Sequence, residues 1–216
     1  MAAPESRRPG STTGQRAAGV WGLAFVILLL IGAGMASVPG ADETTGAVRT
    51  FYERHTGVVV VAQLVELLAT VPLVMFVIGL ARSRLVARSR PLMTACVAMA
   101  GAAVLTVVPP LWLCVVAATG SAGLVDTLAL LSDLVDVLLF VTVAWFAAAC
   151  ARDWLGPRWL PWAAAAAAGL CGLRAVEIAL RGAVLSVIGP IAFVLLVVAL
   201  SLCLLRRAPR VDPQGA

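Results

Sequence analysis

Six long apolar stretches, separated by short polar segments, dominate the chain. A helix needs about 20 apolar residues to cross the ~30 Å hydrocarbon core of a bilayer. Backbone groups cannot stay unpaired in lipid, so runs of this length and uniformity indicate α-helices rather than the strands of a barrel. The predicted spans cover residues 19–38, 57–81, 92–117, 123–151, 159–181 and 184–206. The pattern therefore predicts an all-α fold, a polytopic membrane bundle of six transmembrane helices.

The segments outside these spans are short, so we divide the chain into one membrane domain and two tails. Residues 1–18 are rich in Pro, Gly, Ser and Thr, which is typical of disorder, and residues 207–216 form a second cytoplasmic tail. Residues 19–206 are expected to form the six-helix transmembrane domain. In the longest connection, residues 39–56, the stretch 48–55 predicts a short amphipathic helix lying at the membrane interface. The first stretch resembles a secretory signal, but five further spans follow it, so we expect it to be retained.

Basic residues are concentrated in alternate connections of the chain. All sixteen are arginines, which together with the abundance of Ala is typical of proteins from GC-rich bacteria. The arginines of the two tails and of the second and fourth loops are Arg7, Arg8, Arg16, Arg82, Arg84, Arg88, Arg90, Arg152, Arg158, Arg206, Arg207 and Arg210. The other connections carry only Arg49, Arg54 and Arg181. By the positive-inside rule this asymmetry predicts cytoplasmic N and C termini, in the plasma membrane of a bacterial cell.

Charge and cysteine usage exclude several other classes of protein. A formal net charge of +5 would raise nucleic acid as a partner of a soluble protein, but here the loop arginines account for it. The expected partners are the lipid bilayer and a lipophilic small molecule, with the oligomeric state left open. Five cysteines without C-x-x-C spacing and a single histidine, His55, predict neither a disulfide framework nor a metal site. No nucleotide-binding fingerprint is present, so no cofactor is expected.

Four carboxylates fall inside the apolar stretches, namely Glu66, Asp133, Asp136 and Glu177. An ionised Asp at the centre of a membrane helix costs ~2.5–3.5 kcal/mol on insertion scales, so such residues usually face a protein interior or a wet cavity. With the predicted topology, all four lie in the extracytoplasmic half of the membrane. We therefore take them as the candidate catalytic residues.

The second, fourth and fifth spans each carry their polar residues on one face, at 100° per residue. These faces predict an outward-facing polar pocket between the three helices. Aromatic side chains could line it as well, because an aromatic face stabilises cations. The predicted lining residues are Gln63, Asp126, Arg174, Trp112, Phe140 and Trp145.

The same residues also allow structural interpretations. Asp133 or Asp136 could pair with Arg174 and fix the register between two helices. Glu66 could be protonated and bonded to a neighbouring carbonyl. Carboxylates outnumber the one arginine at this depth, however, so at least one carboxyl is expected to carry a proton. A protonated carboxylic acid in an apolar cleft serves general-acid chemistry or proton coupling.

The whole chain resembles small six-helix integral membrane proteins of GC-rich bacteria. Three short features carry this resemblance: the leading span, the segment Phe51-Tyr52-Glu53-Arg54-His55 before the second span, and Leu80-Ala81-Arg82 at its end. Most members of this group are uncharacterised. The resemblance therefore implies a fold but no activity.

The size, the all-helical build and the intramembrane acids also look like those of the membrane-integral terpene cyclases of meroterpenoid and indole-sesquiterpenoid pathways. In that family, acidic residues on membrane helices protonate an alkene or epoxide of a prenylated substrate. The resemblance implies this role for Glu66 together with Asp133 or Asp136.

Three functions remain open from the sequence. The first is a membrane-embedded terpene cyclase that uses an Asp or Glu as general acid. The second is a small proton-coupled transporter with the same acids as its relay. The third is a non-catalytic membrane accessory protein in which the polar faces hold helices together.

Overall fold

The computed structural model of the chain describes residues 11–35, 43–83, 86, 90–117, 119–180 and 184–206. The helices of this part are α1 (Ser11–Met35), α2 (Thr45–Ala81), α3 (Arg90–Leu105), α4 (Val108–Val116), α5 (Ala122–Asp153), α6 (Leu160–Ala179) and α7 (Ile188–Arg206). Helices α3 and α4 together make one membrane-crossing length, Arg90–Val116. The described residues thus contain six helical stretches long and apolar enough to cross a membrane, which confirms the predicted fold class.

The third span is divided by a proline pair. Helix α3 ends at Leu105 and α4 begins at Val108, with Pro109 and Pro110 in its first turn. A proline has no N–H to donate to the carbonyl four residues earlier, and its ring clashes there. Between the two helices, the Thr106 hydroxyl donates to the Ala103 carbonyl at 2.8 Å. The break thus follows directly from the sequence.

Helix α2 corrects the prediction of a separate interfacial helix at residues 48–55. It is continuous over 37 residues, and the Thr44 hydroxyl caps its start by accepting a hydrogen bond from the Ala47 amide. No proline stands between the cap and the apolar part, so nothing ends the helix there. At a rise of 1.5 Å per residue α2 is roughly 55 Å long, longer than a bilayer is thick. Its first turns therefore extend beyond the membrane.

The ends of the chain differ in part from the predicted tails. Helix α1 begins at Ser11, so residues 11–18 are helical although we predicted disorder for residues 1–18. Residues 1–10 and 207–216 lie outside the described part of the chain.

The six spans form a closed ring in chain order. Each packs against the next, and α7 packs against both α6 and α1. Gly19 at the start of α1 lies against Leu205 near the end of α7, and Gly79 near the end of α2 lies against Ala18. These contacts gather Arg16, Arg82 and Arg206 at one end of the bundle, which we call the arginine-rich end. The opposite end, where α2 and α5 begin, is the polar end.

Two separate apolar clusters fill the ring. The larger occupies the arginine-rich half, where Phe76, Met99, Phe146 and Leu200 have no exposed surface. The smaller lies at the polar end, where the first turns of α2 pack against α4 and the start of α5. The candidate carboxylates of α2 and α5 lie at the level between these clusters.

Candidate functional site

A gap in the apolar core runs along the middle of α5. Val125 and Ala129 are buried near its start, and buried positions resume at Thr142 and Val143. Every residue at positions 130–141 is half-buried or exposed. Asp133 and Asp136 lie in this stretch. The carboxylates therefore occupy the one part of α5 between its two buried ends.

Asp136 interacts electrostatically with charged groups on three helices. It is close enough to interact electrostatically with Asp133 on its own helix, with Glu66 on α2 and with Arg174 on α6. Asp136 itself is half-buried. We call Glu66, Asp133 and Asp136 the carboxylate cluster.

The position of Glu66 is set by α1 and by Gln63. A Cβ added to Gly32 of α1 would lie 2.7 Å from Glu66 Cγ, so only glycine lets α1 approach this closely. One helical turn before Glu66, the Gln63 Nε2 donates to Glu66 Oε2 at 3.4 Å. Gln63 is 5% exposed, and its Oε1 accepts no hydrogen bond within the described part of the chain. Helix α2 thus presents a carboxyl and an amide oxygen together.

Tyr52 belongs to the same face of α2 and was missed from the sequence. Tyr52 lies in the stretch predicted to form an interfacial helix, but it is fully buried, and its hydroxyl has no hydrogen-bond partner among the described residues. It interacts electrostatically with Asp136. The spacing Tyr52, Val59, Gln63, Glu66 follows one helical face. This shared face can be recognised from the sequence only if α2 is known to be one continuous helix.

Glu177 has a structural role as well as a place near the cluster. Its Oε2 accepts from Arg174 Nη1 at 2.8 Å, and its two oxygens accept from the Leu185 amide at 2.7 and 2.9 Å. Glu177 therefore ties the end of α6 to the connection before α7. It also neutralises part of the charge of the arginine that interacts with Asp136.

Arg174 is held against α7 and α5 by close packing. A Cβ on Gly189 of α7 would lie 2.9 Å from Arg174 Cβ and 3.5 Å from Phe140 Cε1. Phe140 is the predicted aromatic residue that adjoins the site in this way. Trp112 and Trp145 are 57% and 44% exposed and lie on the outside of the ring. The structure does not bring these two indoles to the carboxylates.

Asp126 lies at the polar end, apart from the carboxylate cluster. Its Oδ1 accepts from Thr45 Oγ1 at 2.6 Å and so connects the start of α5 to the start of α2. Arg49 of α2 donates to the Gly120 carbonyl just before α5. These bonds hold together the two helices that supply the cluster.

Replacing Thr45 by Val should lower the free energy of unfolding by about 1 kcal/mol, because Asp126 loses its donor. Thr50→Val is the matched control, since the Thr50 hydroxyl bonds only to the Gly46 carbonyl of its own helix. Thermal unfolding of the detergent-solubilised protein measures both. Equal losses in the two variants would mean that the bond between the helices contributes nothing.

Two cavities on the ring lie near the arginine-rich end rather than at the carboxylates. One, of about 370 Å³, lies between α1 and α2 beside Trp21 and Arg82. The other, of about 520 Å³, lies between α5 and α6 beside Arg152 and Trp162. Both have walls made largely of small or apolar side chains and open toward the surroundings.

The geometry can therefore support proton exchange or the binding of a cation at one level of the bundle.

Comparison of the chain with protein-family models, with curated proteins and with solved structures finds no match.

Proposed function

We propose that this multi-pass membrane protein takes up and releases protons at Glu66, Asp133 and Asp136, and couples that exchange to the binding and passage of a small substrate. The protein would then act as a small proton-coupled transporter. One observation carries the proposal: Asp136 interacts electrostatically with Asp133 on its own helix, with Glu66 on α2 and with Arg174 on α6, and Glu177 binds that arginine.

The charge balance explains why a proton is needed. A fully ionised cluster would place several negative charges at the level of the hydrocarbon, where a single central Asp costs ~2.5–3.5 kcal/mol. Arg174 interacts with Asp136 and also pairs with Glu177. Uptake of a proton by a carboxyl of the cluster lowers the cost of its charge. We propose that the half-buried carboxyls of the cluster exchange protons with water.

We propose that the carboxylate cluster exchanges protons with one side of the membrane. The larger apolar cluster separates it from the arginine-rich end, and the smaller apolar cluster lies at the polar end. The distribution of arginines supports an extracytoplasmic position for the polar end, in a bacterial plasma membrane. In this topology the carboxylates exchange protons with the outside of the cell.

A terpene cyclase is the second candidate. Phe140 next to Arg174, and Tyr52 near Asp136, favour it because aromatic faces stabilise the carbocations of such a reaction. The outward position of Trp112 and Trp145 weighs against it. Expression in a host fed prenylated precursors tests this use of the acids. Products that disappear in Glu66→Gln and Asp136→Asn would establish the cyclase and overturn the transporter.

Infrared spectroscopy tests proton binding by the cluster directly. At neutral pH the purified wild type should show the C=O band of a protonated carboxylic acid, and the triple variant Glu66→Gln, Asp133→Asn, Asp136→Asn should lose most of it. Asp126→Asn is the matched control, because it removes an acid of α5 outside the cluster. It should keep the band. A band absent from the wild type, or unchanged in the triple variant, would refute the proposal.

Proteoliposomes loaded with a pH-sensitive dye test the coupling. An imposed substrate gradient should drive proton movement in the wild type and Asp126→Asn, and at least tenfold less in Asp136→Asn. If the infrared band is present but no substrate gradient moves protons, the cluster binds protons without transport. That result would favour the accessory protein.

A further inference from the structure

We infer that the cavity between α1 and α2 binds one anionic phospholipid, with the phosphate of its headgroup on Arg82 and the first part of an acyl chain along the apolar wall. We call this cavity the α1–α2 groove. Arg82 lies roughly 24 Å further along α2 than Glu66. The groove is therefore separate from the carboxylate cluster, and the inference does not depend on proton transport.

Small residues of the two helices form the α1–α2 groove. Gly79 of α2 lies against Ala18 of α1, so the helix backbones are in close contact there. One turn nearer the end of the bundle, a Cβ on Gly14 would meet nothing within 4 Å. The open space has a volume of about 370 Å³, which falls in the range of ~300–1,000 Å³ that is typical of ligand sites.

The polar side chains of the groove lie at the ends of two membrane spans. The first span begins at Gly14 and the second ends at Ala81. Gln15 and Arg82 both line the groove, so they lie at the level of the lipid headgroups. An amide NH₂ and a guanidinium donate hydrogen bonds to phosphate oxygens, and the planar guanidinium can donate two in parallel.

The charge of Arg82 determines which headgroup fits. Arg82 has no ion-pair partner within the described part of the chain. None of the described residues that line the groove is acidic. A headgroup with a net negative charge complements this surface, whereas the ammonium group of a zwitterionic headgroup would find no carboxylate. Basic pockets between membrane helices bind anionic lipid headgroups in this way.

The apolar wall of the groove favours a lipid over a free anion. Trp21, Met75 and Ile78 line it and are exposed on the outside of the ring. Along the helices, Trp21 lies roughly 9 Å deeper than Gln15, and Met75 roughly 10 Å deeper than Arg82. The groove is thus polar at headgroup level and apolar toward the hydrocarbon. A free phosphate would contact only its polar end.

The second cavity at the arginine-rich end differs in one respect that matters for an anion. It has about 520 Å³ and is lined by Arg152 and Trp162, between α5 and α6. Arg152 Nε donates to Asp153 Oδ1 at 2.9 Å, and its Nη2 donates to Oδ2 at 3.4 Å. Because a carboxylate already binds this guanidinium, we expect the anionic lipid in the α1–α2 groove rather than here.

Native mass spectrometry of the full chain, purified in detergent, counts the bound lipids. Phosphatidylglycerol should bind saturably at about one molecule per chain. Phosphatidylethanolamine with the same acyl chains should bind roughly fivefold more weakly, because its headgroup has no net charge. Diacylglycerol lacks the phosphate, and glycerophosphoglycerol is the same headgroup without acyl chains. Both should bind roughly tenfold more weakly than phosphatidylglycerol.

Substitution of single arginines locates the bound headgroup. Arg82→Gln should lower the affinity for phosphatidylglycerol roughly fivefold, and Arg82→Lys should lower it less, because the charge remains while the planar fork is lost. Arg206→Gln is the matched control, since Arg206 lies exposed at the same end but does not line the groove. Arg206→Gln and Arg152→Gln should each change the affinity less than about twofold.

Gly14→Leu blocks the groove without removing a charge, and provides a second test if Arg82→Gln does not fold. The added side chain enters open space, so the helices need not move apart. Binding of phosphatidylglycerol should fall roughly threefold or more. Gly34→Leu is the control, because a Cβ there also meets nothing within 4 Å but lies at the other end of α1.

Four results would overturn the lipid site. Equal losses in Arg82→Gln and Arg206→Gln would show attraction to the arginine-rich end as a whole. A loss in Arg152→Gln alone would place the lipid in the second cavity. Equal binding of phosphatidylethanolamine would remove the role of charge, and equal binding of glycerophosphoglycerol would assign the groove to a free anion. The infrared band of the carboxylate cluster is independent of all four, so the proposed function would stand.

Discussion

Replacing Gly22 by Leu should cost about 3 kcal/mol of stability or more, the largest loss we expect from a single added side chain. A Cβ at this position would lie 2.7 Å from Phe76 Cδ2 of α2 and closer still to the Ser201 hydroxyl of α7. Overpacking of this kind typically costs 1–3 kcal/mol, and more where rigid neighbours cannot move. Phe76 and Ser201 are fully buried and cannot move aside. The three helices that close the ring would be pushed apart.

Gly34→Leu is the matched control on the same helix. A Cβ there meets nothing within 4 Å, so the larger side chain points into open space. Resistance to denaturant in detergent, followed by loss of helical signal, compares the two variants. Equal stability of Gly22→Leu and Gly34→Leu would contradict the close packing of α1 between α2 and α7.

Phe146→Ala should destabilise the protein by about 3 kcal/mol, the second large effect. Phe146 has no exposed surface and lies in the larger apolar cluster. In a soluble core this substitution costs 3–5 kcal/mol. We expect the lower end of this range, because lipid is as apolar as the protein interior. The lost contacts and the cavity therefore account for most of the loss of stability.

The neighbouring substitution Trp145→Ala provides the control. It removes a larger ring from the next residue of α5, but Trp145 is 44% exposed on the outside of the ring. We expect a loss of less than half that of Phe146→Ala, measured by the same denaturation. A larger loss of stability in Trp145→Ala would mean that Trp145, and not Phe146, faces the core.

The membrane spans could be predicted from the sequence because the features that define a span lie within a short stretch of the chain. A span needs a length of apolar residues, and a proline pair breaks a helix whatever surrounds it. Carboxylates inside apolar runs likewise indicate the level of the candidate site from the sequence alone. The wrong prediction of an interfacial helix at residues 48–55 came from judging where the membrane begins, since nothing in α2 itself ends there.

The rotation of each helix could not be predicted in the same way. In a soluble protein the apolar face of a helix points inward, but in lipid both faces are apolar. Trp112 and Trp145 could therefore be assigned to the pocket from the sequence although they lie outside the ring. The pairing of Glu177 with Arg174 and the Leu185 amide depends on the connection before α7, and no local pattern encodes it.

The contacts of Gly32 show a third limit. A glycine in a membrane helix is common, and the sequence marks it only as a place where helices can approach. That Glu66 is the side chain packed against it depends on the register between α1 and α2. Tyr52 was missed for a related reason, because its distance from the cluster depends on the length of α2.

Thiol labelling of α5 tests most directly whether water reaches the carboxylates. Asp136→Cys should gain about one hydrophilic, membrane-impermeant maleimide per chain over the wild type, whose own cysteines give the background. Val143→Cys, two turns further along the same face and 2% exposed, should gain none. If water reaches the carboxylate cluster between the two apolar clusters, Asp136→Cys should be labelled and Val143→Cys should not. An unlabelled Asp136→Cys in folded protein, or equal labelling at both positions, would contradict it.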